Sequence, residues 1–92
     1  MTIYIAGKIR NAPNYHAKFA QAADQLRAQG HRVFNPAAAN LESDPLPKIM
    51  SYVLGQLCES EAIAMIPGWW RSGGARIEWM LAKYLGIRII YL

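Results

Sequence analysis

Glu78 ends the most chemically pointed stretch of the chain, Met65 to Glu78. On a helix its pairing positions are Gly74, Ala75, Leu81 and Ala82, and none of these carries a charge. A carboxylate in such apolar company must be solvated, paired at long range, or used. Gly74 and Ala75 lie one turn earlier on the same face and leave open space for a ligand. The pattern points to an active site rather than a stability feature.

Other residues around this acid admit two uses each. Ser72 precedes Gly73 and Gly74. Its hydroxyl can cap the helix, and the glycines let an anion reach the helix N-terminus, where the macrodipole favours it. Arg71 and Arg76 serve as rim charges or phosphate partners. A second loop, Gly7 to Asn11, carries Lys8, Ile9 and Arg10. Cations and free amides at a strand end suit a phosphate or carboxylate, and they equally suit a plain solvated turn. Trp69 and Trp70 are adjacent, so one of them at most turns inward, to stack on a planar base or to cover the core or a subunit contact. Tyr4 and Tyr15 offer hydroxyls to a ligand, although Tyr15 also fits an apolar helix stripe. His16 and His31 have no metal spacing, and Cys58 has no histidine pattern to activate it. No metal or redox cofactor is expected.

These residues need a scaffold. Thr2 to Ala6 is short, β-rich and closed by Gly7, which reads as a strand. Tyr15, Phe19, Ala22 and Leu26 recur at helical spacing, with Pro13 and Asn14 at the entrance and Gly30 as the stop. His31 to Phe34 is a second strand, and Ala37 to Ser43 reads as loop. Asp44 and Pro45 supply a cap and a first-turn proline for a helix marked by Ile49, Met50, Val53, Leu54 and Leu57. Ala62 to Ile66 is apolar at every position and predicts a strand buried on both faces. A wide loop through Gly68 leads to a helix from Gly73 to Leu85, ended by Gly86, and Ile87 to Leu92 is a last strand.

Strand and helix alternate throughout. That order predicts an α/β fold: a three-layer, Rossmann-like arrangement with helices on both faces of a four-stranded parallel sheet. Strand order 2-1-3-4, a truncated flavodoxin-like sheet, puts the switch point between the first and third strands. The Gly7–Asn11 and Pro67–Gly74 loops meet there.

Composition bounds the rest. With 92 residues the chain makes one domain, residues 1–92, and 53% of it is hydrophobic. A domain of this size buries only about 60–65% of its unfolded surface. The surplus apolar surface predicts a homodimer. Ile77, Trp79, Met80, Leu81, Tyr84 and Leu85 wrap more than one helix face and suit such a contact. The net charge of +4 is scattered, with no basic stripe interleaved with aromatics, which argues against a nucleic-acid partner. One cysteine fits a reducing cytosol. The apolar runs are too short to span a membrane, and the N-terminus begins as a strand, not a signal segment.

At the residues named above the chain resembles the nucleoside 2-deoxyribosyltransferase-like superfamily. Within it, the sequence is most similar to the small phage and bacterial proteins of the DUF4406 family. The resemblance runs through Ile3–Arg10, Phe19, Leu26, Gly30, Val33–Pro36, Ala62–Trp69 and Ser72–Glu78. The last segment is also similar to the serine-to-glutamate stretch of deoxynucleoside 5′-monophosphate N-glycosidases. There the glutamate is the nucleophile and the serine touches the phosphate. By that resemblance Glu78 attacks C1′ of a nucleoside or nucleoside monophosphate, and Ser72, Lys8 and Arg10 hold its 5′ end. Water or a second base resolves the glycosyl ester with retention. One departure stands out. Active relatives carry an orienting aspartate on the helix before the third strand, and Val53 occupies that place here. Three readings follow: an N-glycosidic enzyme, a nucleotide-binding module without turnover, and a dimeric scaffold in which Glu78 pairs across an interface.

Overall fold

The computed structural model describes residues 1–39 and 43–92. Four strands and three long helices alternate: β1 (Thr2–Ala6), α1 (Tyr15–Ala28), β2 (Arg32–Phe34), α2 (Leu46–Cys58), β3 (Ala62–Met65), α3 (Gly73–Leu85) and β4 (Arg88–Tyr91). All three pairings are parallel and the order is β2-β1-β3-β4. This is the expected three-layer α/β sheet with its switch point between β1 and β3.

Alternation along the strands builds two cores. Ile3 and Ile5 of β1 and Ala62 and Ala64 of β3 pack with Phe19, Ala23 and Leu26 of α1. Tyr4, Ala6, Ile63 and Met65 point to the other face, against Val53 and Leu57 of α2 and Ala82 of α3. Both central strands are buried on both sides, which explains why β3 reads as a continuous apolar run. No helix among the described residues is long and apolar enough to cross a membrane.

Local details depart from the sequence reading in four respects. Pro36–Ala39 forms a 3-10 turn instead of loop, with Asn35 Oδ1 accepting from the Ala37 amide at 3.0 Å. The rest of the expected loop, residues 40–42, lies outside the described residues. The entrance to α2 is shifted by one: Pro45 is the cap residue, the first-turn proline is Pro47, and Asp44 reaches Lys48 at 3.6 Å instead of capping. Trp69–Arg71 forms a second short 3-10 turn within the wide loop. The outer strands are also shorter than expected at their ends.

β1 and β3 finish level with each other, Ala6 against Met65, and the Ile66 amide still donates to the Ala6 carbonyl at 2.9 Å. The two following loops therefore start side by side. Gly7 sits where a Cβ would come within 3.0 Å of Ile66 Cβ and 3.2 Å of the Phe19 ring. A side chain there would push the first loop off its neighbour.

Candidate active site

A cavity of about 760 Å³ opens where β1 and β3 end. Its floor is β1, its roof is α2, and one side is the first two turns of α3. Tyr4, Gly7, Lys8, Ile9, Arg10, Tyr15, Ser72, Gly74 and Glu78 all line it. Gly68 and Trp69 do not. Gly68 faces a neighbouring smaller cavity. Trp69 packs on Trp79, ring centroids 5.2 Å apart, and joins the α2–α3 core.

Glu78 is buried, 6% exposed, on the cavity side of α3. Its helix supplies no partner. The partner comes instead from the middle of β1, where the Tyr4 hydroxyl donates a hydrogen bond to Oε2. Strand alternation aims Tyr4 at α3, and Ala75 and Ala82 are buried on the same face of that helix. Tyr4 is itself held by stacking on Phe34, ring centroids 5.6 Å apart. The other carboxylate oxygen, Oε1, has no hydrogen-bond partner among the described residues, and it is not sealed in the interior. No basic residue pairs with Glu78 within the described chain.

Burial pushes the Glu78 carboxyl from an ordinary 4.5 up to about 7, and the Tyr4 hydrogen bond works in the opposite direction. The Tyr4 phenol is raised far above its usual value, first by burial, then by the nearby Glu78 charge and the hydrogen bond. Tyr4 therefore stays a donor across the whole working range. Glu78 changes charge near neutrality, where a carboxylate can serve as a base or a nucleophile.

The entrance to α3 faces the same cavity. Ser72 Oγ accepts from the Ala75 amide at 3.2 Å and the Ser72 carbonyl accepts from Arg76 at 3.0 Å. Ser72 is thus the cap. The Gly73 and Gly74 amides have no partner among the described residues, so they are available to an anion at the positive end of α3. Lys8, Arg10 and Arg71 stand around this end, and none has a carboxylate partner among the described residues.

Of the α2 wall, the family resemblance reached Val53 alone, and the rest was not found from sequence. Leu46, Ile49, Met50 and Val53 line the cavity, and Val53 is buried. The signal was the apolar spacing of α2, which served equally for core packing. Glu78 is the sole acid lining the cavity among the described residues. Glu61 is at the opposite end of the sheet, where it accepts from the Thr2 amide at 3.0 Å. Among the described residues no cluster of histidine, cysteine and acidic side chains has the makings of a metal site.

A comparison with solved structures finds a 2-deoxyribosyltransferase from the psychrotolerant bacterium Bacillus psychrosaccharolyticus. The TM-score is 0.82 at 21% identity, over 99% of this chain and 71% of that one. At this identity the match establishes a shared fold. A search of curated proteins finds no match. The family described as "Domain of unknown function (DUF4406)" matches residues 1–91. The chain therefore belongs to the DUF4406 family.

Proposed function

We propose that the chain cleaves the N-glycosidic bond of a nucleoside or nucleoside monophosphate, with Glu78 as nucleophile. The observation that carries this reading is a buried carboxylate at a ligand-sized cavity, one oxygen held by Tyr4 and the other without a partner among the described residues. The fold shared with a 2-deoxyribosyltransferase supports the same class of substrate. In the first step Glu78 bonds to C1′ and the C1′–N bond breaks. The base leaves with that electron pair and takes a proton from solvent. Water or a second base then attacks C1′ and releases Glu78, so the configuration is retained overall. Lys8, Arg10, Ser72 and the first amides of α3 hold the 5′ end and fix C1′ beside the carboxylate.

The test is release of free base from 2′-deoxynucleosides and their 5′-monophosphates, followed by chromatography. Wild type is expected to release base and Glu78→Ala is not. Equal release by both would remove Glu78 from the reaction. A second reading, nucleotide binding without turnover, is favoured by the α2 wall, where Val53 and its neighbours offer nothing to orient a sugar. It predicts saturable binding with no release by either protein.

The site is proposed to work in a homodimer, in a reducing cytoplasm. Ile77, Met80 and Tyr84 form an exposed stripe along α3, with exposures of 51%, 63% and 87%, and Ile77 also borders the main cavity. A second copy would cover it. Met80→Glu combined with Tyr84→Glu is expected to halve the mass measured by sedimentation. An unchanged mass would place the contact elsewhere or show that the chain is monomeric.

A further inference from the structure

Beside the main cavity is a second one of about 240 Å³. The two share Lys8, Asn11, Phe19 and Arg71 as a common wall. Lys18 of α1 lines the smaller one and not the main cavity. Three cations thus surround it, and no acid lines it among the described residues. Lys8, Lys18 and Arg71 have no carboxylate partner among the described residues. Nearby positive charge is elsewhere spent on ion pairs: Arg27 lies 3.9 Å from Asp24, and Lys48 is 3.6 Å from Asp44.

Three cations around one hollow, with no carboxylate partner among the described residues, repel each other and gain most from a dense anion. Asn11 adds an amide donor. It has a left-handed backbone, φ 55°, in a turn closed by the Ala12 amide on the Ile9 carbonyl at 3.3 Å. A cation wall continuous with the α3 entrance suits an anionic chain that passes from one cavity to the other.

We propose that the smaller cavity receives the outer phosphates of a nucleoside 5′-diphosphate or triphosphate, so that this chain prefers substrates longer than a monophosphate. The proposal rests on the nucleotide reading of the main cavity and names its substrate class. The first phosphate sits at Ser72 and the α3 amides. The next passes between Lys8 and Arg71, and Lys18 meets the end of the chain.

The experiment is calorimetric titration with the mono-, di- and triphosphates of the four 2′-deoxynucleosides, and with inorganic pyrophosphate alone. Wild type is expected to bind the di- or triphosphate of one nucleoside at least about tenfold more tightly than its monophosphate, a margin that shrinks with salt. Lys18 is exposed and outside the main cavity, so Lys18→Ala is expected to remove about five- to tenfold of that margin and leave the monophosphate unchanged. Lys18→Glu should reverse the preference. Monophosphate binding with no gain for longer chains, or an equal loss for all three in Lys18→Ala, overturns the annex and leaves the proposed function standing. Pyrophosphate binding as tightly as any nucleotide shows a free-anion site and overturns the nucleotide assignment. Failure of every nucleotide to bind overturns the proposed function and the annex together.

Discussion

Glu78→Gln is expected to release no detectable base and, above pH 7, to be more stable than the wild-type chain. Both effects come from one buried carboxyl. Glutamine cannot open a glycosyl ester route, and loss of a nucleophile costs on the order of 10³-fold or more. The stability effect follows from linkage. The folded value, about 7, lies above the ordinary 4.5. Between those values the folded chain holds a proton that the unfolded chain has lost. The stabilisation is complete below about pH 4.5 and is lost as pH rises through about 7. Wild type is therefore expected to weaken by on the order of 3 kcal/mol from pH 5 to pH 8. Glutamine keeps an acceptor for Tyr4 without the charge, and its urea midpoint should lose this part of the pH dependence. Parallel pH profiles of the two proteins would show that the Glu78 proton does not govern stability.

Tyr4→Phe is the second large effect, and it separates positioning from attack. The Tyr4 hydrogen bond draws the Glu78 carboxyl down against burial. Removing it leaves burial unopposed, so Glu78 ionises at still higher pH. A hydrogen bond to a charged acceptor is worth about 1.5–3 kcal/mol, equivalent to about one to two pH units. The rising limb of the pH–rate profile, near pH 7 in wild type, is expected to move up by that amount. At pH 7 the rate should fall about 5- to 50-fold and recover largely at pH 9. A uniform drop at every pH would show that Tyr4 supports the fold alone. Fluorinated tyrosine at the same position lowers the phenol's ordinary value and strengthens its donation, which should shift the limb the other way.

Much of this architecture is written locally in the chain. The apolar run of β3 reports burial on two sides, and Gly30 and Gly86, both with positive φ, stop α1 and α3 where the sequence places the stops. The two short 3-10 turns are not legible in this way. Pro36–Ala39 and Trp69–Arg71 are too brief for a period, and their shape is set by what they rest on. The candidate site divides along the same line. Glu78 stands out because its own helix offers no partner. The Tyr4 contact spans 74 positions, and no local spacing encodes it. It becomes readable only when β1 is split by alternation into a Tyr4–Ala6 face and an Ile3–Ile5 face and the second helix layer is laid on the first of these. Beyond Val53, the α2 wall stayed hidden for a different reason: the residues that line a hollow and those that fill a core have the same apolar stripe.

The aromatic patch behind the site has a practical meaning. Trp69 lies 5.2 Å from Trp79 and 6.4 Å from Tyr91, ring centre to ring centre, with Trp70 edge-on at 6.2 Å. The Trp79 ring nitrogen donates to the Tyr91 hydroxyl at 3.0 Å, and Lys83 Nζ stands 4.4 Å from the Trp79 ring. All three indoles of the chain are thus gathered at one corner, and Trp79 is immediately next in sequence to Glu78. Their coupled near-ultraviolet dichroism and emission give the molecule an unlabelled optical gauge of how α3 is seated, readable in a cuvette as ligand, acid or heat displaces it.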